Sequence, residues 1–444
     1  MNNPLLPIQE QKDKDEEEST TISSSILLKS NEESTCFPKG SLASSIWILS
    51  SVSLGVGIFV QPSIFYHIGY VSGSAIVILF AVVTCYSQYL FLLSCKGKTY
   101  PSYGACVRSV LGKIGLAFSS VFMAITCFIA NAAHMSTVSK MLKDIMSWFF
   151  TGDYDYPISK TKNAILIAVL LAFVSPFCFK SDSLSALRHI GTVSFFTSAI
   201  LAVSMIVLGL KHLVDGDEVA EHTPAFVWDA KEILSGSAAL CFAYSSIANI
   251  AAVVHEMKPK AQTPLQAHRP TLWSTLLCCV LYLGVGLTCS LAWGDQVASG
   301  SGNVLYLIDA DNVWITFWSF VLVISIVLLF PIINFPILRE METVLSIVWQ
   351  GEKSNGFLMR HRKTFMCLVI FILTVVVDTC VNDLASLFGL CASMGLSVVS
   401  LILPSVMYLF GSRFGLHSVG AILVLFLGIV IMLGSTITII MGMV

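Results

Sequence analysis

Two apolar segments of the chain are interrupted at their middle by residues that could expose polar groups to a small solute. The first, residues 45–62, contains Gly55-Val56-Gly57-Ile58; the second, residues 237–254, contains Phe242-Ala243-Tyr244-Ser245-Ser246. Glycine disfavours a helix interior by about 1 kcal/mol relative to alanine. A break there would free backbone N–H groups and direct the positive end of the following half-helix toward a carboxylate. We therefore predict that the two segments together form a binding site.

Each segment has a second interpretation. Gly55 and Gly57 could simply allow close helix packing, whereas in the binding interpretation Val56 and Ile58 contribute backbone alone. In the second segment, Phe242 and Tyr244 offer apolar contact, and Ser245 and Ser246 offer hydroxyls. Such side chains also bond the backbone of their own or a neighbouring helix, and the centre of this segment has no Gly or Pro.

Asn131 and His134 lie within another apolar run. Polar groups are costly in lipid and usually face an interior cavity. Asn131 is a candidate for solute binding, and His134 could carry a coupled proton because its unperturbed pKa is about 6.5. A structural hydrogen bond is the alternative for both residues.

The composition indicates a polytopic membrane protein. Hydrophobic residues make up 55% of the chain and charged residues only 12%, whereas a soluble domain has about 25% charged residues. Apolar runs of about 20 residues, each long enough to cross a bilayer, recur along the whole length. The net charge of -2 gives no case for a nucleic-acid partner.

Neither an enzyme nor a metalloprotein is indicated. The 13 cysteines lie mostly inside apolar runs, where they act as small hydrophobes, and no CxxC pair or Cys/His cluster appears. A nucleophile–base pair and a phosphate-binding loop are also missing from the sequence. We predict no metal and no cofactor.

The predicted fold is all-α with eleven membrane spans. Residues 1–40 are an acidic tail predicted to be disordered, and residues 41–444 form one membrane domain. The interrupted segments are spans 1 and 6. This offset of five predicts two inverted five-helix repeats, about 42–212 and 231–410, plus an extra helix at 416–443, with broken helices 1 and 6 facing each other at the bilayer midplane. The predicted spans are 42–66, 71–95, 114–148, 162–179, 188–212, 231–255, 271–294, 314–339, 364–382, 384–410 and 416–443.

The distribution of basic residues predicts the orientation. With a cytosolic N-terminus, 19 of the 25 lysines and arginines fall on the cytosolic side, as the positive-inside rule requires. The C-terminus is then on the opposite side. The segments assigned to that opposite side contain no Cys, and the chain has no Asn-x-Ser/Thr sequon. Both features favour an internal, vacuolar or lysosomal type of membrane over the cell surface.

Five short motifs resemble those of the amino acid/auxin permease family, within the amino acid–polyamine–organocation superfamily. They fall in order over residues 42–410, and the first resembles the family's usual GxGILxLP, followed by GW. The resemblance implies an eleven-helix transporter fold with amino acids as substrates. The motifs are Gly55-Val-Gly-Ile-Phe-Val-Gln-Pro with Gly69-Tyr; Tyr100-Pro-Ser-Tyr-Gly with Leu111-Gly-Lys; Tyr282-Leu-Gly-Val-Gly with Trp293-Gly-Asp and Asn303-Val-Leu; Pro331-Ile-Ile-Asn-Phe-Pro-Ile-Leu-Arg-Glu340; and Leu387-Phe-Gly-Leu-Cys-Ala-Ser393 with Leu403-Pro-Ser-Val-Met-Tyr408.

The chain departs from the family at its sodium site. Sodium-coupled members look like Thr-x-Thr-x-Pro before the first proline of helix 8, whereas this chain has Val327-Leu-Leu-Phe-Pro331. A hard cation needs oxygen ligands, and the two aligned side chains, Val327 and Leu329, supply none. The nearest hydroxyl is Ser325, and Ser51 aligns with the family's helix 1 Asn. Proton coupling or uncoupled transport is therefore favoured over sodium symport.

Two functions remain open from the sequence. The first is a secondary transporter that moves neutral amino acids by alternating access, since neither break contains an acidic or basic residue. The second is a sensor or structural membrane subunit that keeps the fold without transport. The predicted partners are an amino acid, a proton more readily than sodium, and membrane lipid.

Overall fold

The computed structural model describes most of the membrane domain. Residues 1–39 and position 56 lie outside the described part of the chain. The described residues are 40–55, 57–151, 165, 167–173, 176, 178, 184–215, 223–299, 313–348, 362–380, 389–390, 392–412 and 415–443. The predicted disordered tail is therefore not described, and the predicted span 162–179 is described only in part.

The described residues form a bundle of helices. In chain order these are α1 (Leu42–Leu54), α2 (Gly57–Ile68), α3 (Tyr70–Ser94), α4 (Tyr103–Thr151), α5 (Arg188–Asp215), α6 (Ala230–Ala243), α7 (Ile247–Glu256), α8 (Pro264–Trp293), α9 (Asp295–Ser299), α10 (Val313–Val348), α11 (Arg362–Cys380), α12 (Leu403–Gly411) and α13 (Leu416–Met443). Two π-helical stretches, Ala392–Leu396 and Val398–Ile402, lead into α12.

The helices have the length and character of membrane spans. Within the described residues, eight helical spans are long and apolar enough to cross a bilayer, or nine if the bent pair α1 and α2 counts as one. Large apolar side chains on α13, such as Leu423 and Phe426, are exposed on the outside of the bundle, where lipid would cover them. The protein is an integral membrane protein; the predicted count of eleven stays a prediction.

The first interrupted segment divides into two helices. α1 ends at Leu54, α2 begins at Gly57, and the two axes differ by 52°. Gly55 caps α1 in a backbone conformation outside the helical region, and its N–H still donates to the carbonyl of Ser51. The low helix propensity of glycine explains why the chain departs from the helix here.

The second interrupted segment also divides, although its centre lacks Gly and Pro. α6 ends at Ala243, residues 244–246 form a turn, and α7 begins at Ile247. The Ser246 N–H donates to the carbonyl of Tyr244 instead of to a residue one helical turn earlier. Intrinsic propensity does not account for this turn, so contacts from other helices must hold it.

The bundle has two ends. The near end contains Leu42, where α1 begins, and the far end contains Ile68, where α2 ends. At the near end a disulfide joins Cys95 to Cys106. α4 is kinked at Gly112, whose backbone is not helical (φ 71°), so the span predicted from residue 114 corresponds to the part after the kink. The part before it begins at Tyr103, where the hydroxyl of Ser102 accepts the Ala105 N–H and caps the helix.

Candidate functional site

A cavity lies between the two helix breaks and the middle of α4 and α10. Its walls are apolar for the most part, with a few polar side chains. The lining residues are Val52, Met123, Thr126, Cys127, Ala130, His134, Phe242, Ser245, Ala248, Asn249, Ile333, Pro336, Leu396 and Val399. No carboxylate, lysine or arginine is among these described residues.

One face of α4 supplies more of the lining than any other helix. Met123, Thr126, Cys127, Ala130 and His134 recur at helical spacing and so project from the same face. We predicted a role for His134 but missed Thr126, which lies two turns earlier on that face. The periodic spacing was the signal that could have identified it.

His134 presents one ring nitrogen to the cavity. Its Nδ1 lies 2.6 Å from the carbonyl oxygen of Ala130. A carbonyl only accepts, so Nδ1 bears the hydrogen, and in the neutral ring Nε2 is left with a free lone pair. The Nε2 atom is buried without a hydrogen-bond partner among the described residues, and it lies 3.1 Å from where a β-carbon on Gly55 would sit.

Two further buried polar atoms of the lining lack partners within the described part of the chain. They are the Thr126 hydroxyl and the Asn249 side-chain oxygen, and the two residues are 6% and 1% exposed. A buried polar atom without a partner costs about 1–3 kcal/mol. Together with His134 Nε2, these atoms make the cavity suited to a ligand that carries its own hydrogen-bonding groups.

The second break contributes unevenly to this cavity. Phe242 and Ser245 line it, and the Phe242 ring centroid lies 6.2 Å from that of His134. Tyr244 directs its hydroxyl to the Val77 carbonyl at 3.3 Å, and Ser246 accepts a hydrogen bond from Gln88 at 3.3 Å. Sequence reasoning missed Asn249, one turn beyond Ser245 on the same face.

The first break lies against the same region. The β-carbon position of Gly55 faces His134, and that of Gly57 faces α6 and α8. The Gly57 carbonyl accepts from the Gln61 side chain at 2.9 Å. Ile58 is buried in the apolar core. Val56 lies outside the described residues, so its predicted backbone role is not addressed.

Asn131 is engaged elsewhere. Its amide nitrogen donates to the Asn334 side-chain oxygen at 2.7 Å, and the Asn334 nitrogen reaches back to the Asn131 oxygen at 3.3 Å. Both residues are fully buried between α4 and α10. The reciprocal pair favours the structural alternative for Asn131, while its role in binding stays a prediction.

The candidate coupling residues differ in their surroundings. The Ser51 hydroxyl donates to the Ile48 carbonyl of its own helix at 2.8 Å. Ser325 is buried, and its hydroxyl has no partner in the described part of the chain. Val327 and Leu329 are both buried, and a methyl carbon of Leu329 lies 3.5 Å from the β-carbon position of Gly55. An aliphatic side chain thus packs directly against the first break.

Tyr282 on α8 joins the two breaks, and we did not predict a role for it. Its hydroxyl lies 2.5 Å from the carbonyl oxygen of Ser53 and 2.9 Å from that of Ala243. It also lies 2.8 Å from the β-carbon position of Gly57. Tyr282 begins the motif Tyr282-Leu-Gly-Val-Gly, but a lone tyrosine in an apolar run gives no signal of such a contact.

The far end of the bundle is closed above the cavity. The Tyr66 hydroxyl donates to Asp295 at 2.8 Å, and His67 lies 3.7 Å from Glu232. Residues 224–227 also pair with the start of α3 through backbone bonds: Tyr70 to Pro224 and Val71 to Ala225. The lining residues Val52, Asn249 and Pro336 extend from the breaks toward the near end instead.

Comparisons with known proteins give the family. The sequence profile of a family described as "Transmembrane amino acid transporter protein" matches residues 38–443. The chain is 22% identical over 383 residues to Vacuolar amino acid transporter 5 of Schizosaccharomyces pombe, covering 84% of this chain and 86% of that protein. It is 23% identical over 356 residues to Amino acid transporter AVT6E of Arabidopsis thaliana, covering 75% and 68%.

A solved structure shares the fold. MhsT, crystallised in complex with L-phenylalanine, matches with a TM-score of 0.60 and 12% identity, over 90% of this chain and 97% of that one. At this identity the match supports the architecture alone. The profile match over nearly the whole chain is the stronger finding: the chain belongs to the transmembrane amino acid transporter family, the amino acid/auxin permeases that its motifs resemble.

Proposed function

We propose that this protein is a secondary transporter that moves neutral amino acids across a membrane by alternating access. The observation that carries the proposal is the cavity between the two breaks. It combines an apolar wall with three buried polar atoms that have no partner among the described residues. A zwitterion can supply hydrogen-bonding groups to those atoms while its side chain contacts the apolar wall.

The absence of ionised side chains from the described lining supports a neutral substrate. An aspartate or lysine side chain would be desolvated there without an opposite charge, which is strongly unfavourable. The α-carboxylate can instead be received by backbone N–H groups at the start of α2, where the helix dipole is positive. The complex of MhsT with L-phenylalanine is in keeping with an apolar amino acid as the ligand of this fold.

Contacts that bridge the helices at both ends of the bundle support alternating access, because each set could open in turn. At the far end they are Tyr66 with Asp295 and the backbone pairs at Tyr70 and Val71. At the near end the Gly104 N–H donates to Glu340, and the Leu184 N–H donates to Glu256 at 2.7 Å. The vacuolar relative supports the internal membrane that we predicted.

The substrate and the driving ion can be tested together in proteoliposomes. We expect uptake of neutral amino acids from a labelled panel, with little uptake of acidic or basic ones, and no stimulation by a sodium gradient because Leu329 packs where a hydroxyl would be needed. Sodium-driven uptake would contradict this account of the sodium site. A folded protein that takes up no amino acid would favour the sensor or structural alternative.

The role of His134 in proton coupling has its own test. We expect an inward proton gradient to stimulate wild-type uptake, and His134→Gln to lose that stimulation while it retains exchange without a gradient. Glutamine keeps hydrogen-bonding groups but does not titrate, so only proton binding is removed. The matched control is His255→Gln, since His255 lies outside the cavity and contacts Thr99.

The comparison of the two variants decides the assignment. Stimulation that disappears only in His134→Gln supports His134 as the proton-binding group. Stimulation that persists unchanged in His134→Gln would place the coupled proton elsewhere, and a wild-type protein without any stimulation would indicate uncoupled transport.

A further inference from the structure

We propose that Tyr282 is the positioning residue that fixes the two helix breaks relative to each other. Its hydroxyl donates to carbonyl groups that a bound cation would otherwise coordinate. This inference deepens the proposed function and rests on it for the readout of substrate affinity. Tyr282 is fully buried on α8, in the middle of the bundle. It belongs to neither broken segment, yet it contacts both.

The geometry is a convergence of two carbonyl groups on one hydroxyl. The Ser53 carbonyl lies near the end of α1 and the Ala243 carbonyl at the end of α6, each close to the Tyr282 oxygen. A break leaves such carbonyls without their helical N–H partners. Both also lie at helix C-termini, where the dipole is negative. These two carbonyl oxygens are therefore best paired with a cation or a hydrogen-bond donor.

In broken-helix transporters, carbonyls freed in this way coordinate a coupling ion. Here the hydroxyl hydrogen of Tyr282 supplies the positive partial charge instead. A tyrosine hydroxyl has one hydrogen, so the two carbonyls share a single donor, and the hydroxyl contacts both only while the two breaks stay at their present separation. Tyr282 thus links the position of one break to that of the other.

The surroundings of the hydroxyl are consistent with a fixed role. The Tyr282 ring packs edge-on against Tyr244 with centroids 5.2 Å apart. Gly57 leaves no room for a side chain on the other side, because a β-carbon there would lie 2.8 Å from the Tyr282 oxygen and 3.2 Å from Ala243. The oxygen is thus confined between the two breaks.

The test is Tyr282→Phe, with Tyr86→Phe as the control. Both variants delete one tyrosine hydroxyl inside the bundle, but that of Tyr86 on α3 lies 3.2 Å from His417, away from both breaks. We expect the dissociation constant for a labelled neutral amino acid to rise at least tenfold in Tyr282→Phe and less than threefold in Tyr86→Phe. Equal affinities in the wild type and Tyr282→Phe would overturn the inference.

A second readout does not depend on transport. Hydrogen exchange measured by mass spectrometry should be faster in peptides covering 51–60 and 240–249 of Tyr282→Phe, and unchanged there in Tyr86→Phe. If the wild type bound no amino acid, the proposed function would fail while this measurement still decided the inference. Unchanged exchange at both breaks would refute it.

Two unnatural side chains of nearly equal size separate the loss of the hydrogen bond from any misfolding of the phenylalanine variant. At position 282, 4-aminophenylalanine retains a donor and 4-methylphenylalanine does not. We expect the amino variant to keep wild-type exchange and affinity, and the methyl variant to behave like Tyr282→Phe. Identical behaviour of the two would show that bulk, and not hydrogen bonding, matters at this position.

Discussion

Gly57→Ala is expected to lower amino acid uptake at least tenfold while the protein still inserts and folds. The added β-carbon would lie 2.8 Å from the Tyr282 hydroxyl and 3.2 Å from the Ala243 backbone. Backbone atoms cannot rotate away as a flexible side chain can, so α2 or α6 must shift. A shift of about 1 Å in a binding site can reduce a rate about a hundredfold. Initial uptake rates in proteoliposomes measure the effect.

Gly284→Ala is the control for this prediction. Gly284 lies on α8, two residues from Tyr282, and its β-carbon would meet only the side chain of Ile206, chiefly its terminal methyl group. That methyl group can move, so we expect uptake within about threefold of the wild type, as for a mildly overpacked apolar contact. Comparable uptake by Gly57→Ala and Gly284→Ala would show that the first break does not contribute to the binding site.

Asn131→Leu is expected to destabilise the folded protein by about 1–3 kcal/mol, because it leaves a buried Asn334 oxygen without its donor. Asn334→Leu should have a similar effect from the other side of the pair. In Asn131→Leu/Asn334→Leu neither amide remains, so part of the stability should return. Thermal unfolding of the purified protein in detergent measures all three variants.

The same three variants separate the two interpretations of Asn131. If the amide pair joins α4 to α10, Asn131→Leu and Asn334→Leu should change stability together and affect substrate affinity to a similar degree. If Asn131 instead binds the amino acid directly, Asn131→Leu should abolish binding with little loss of stability, while Asn334→Leu should leave binding intact.

Composition and short motifs were sufficient to predict the class and the family. The 12% content of charged residues and the recurrent apolar runs predicted a helical membrane protein, and the profile match over residues 38–443 confirms the family. These properties are predictable because lipid requires every backbone polar group to be paired within a helix. Each span is therefore visible locally as an apolar run.

One wall of the cavity was also readable from the sequence. Thr126, Ala130 and His134 share a face of α4 because they are spaced by four residues. We noted the His and the neighbouring Asn131 as polar residues in one run, and at a spacing of three residues helical periodicity alone does not separate them; the packing of α10 does. His134 faces the cavity, whereas Asn131 pairs with Asn334.

The two breaks differ in what determines them. The first lies at Gly55 and Gly57, which disfavour a helix through their own backbone freedom, so local chemistry is sufficient to explain it. The second has no such residue, and its turn is held by partners from other helices: Tyr282 at Ala243 and Gln88 at Ser246.

The sequence by itself thus determined the membrane class and the family, because both depend on residues close together in the chain. Tertiary structure alone decided which polar atoms face the cavity, which are paired, and how the two breaks meet. Ser53 and Tyr282 are 229 residues apart. A hydrogen bond over that separation depends on how whole helices pack, and no local pattern encodes it.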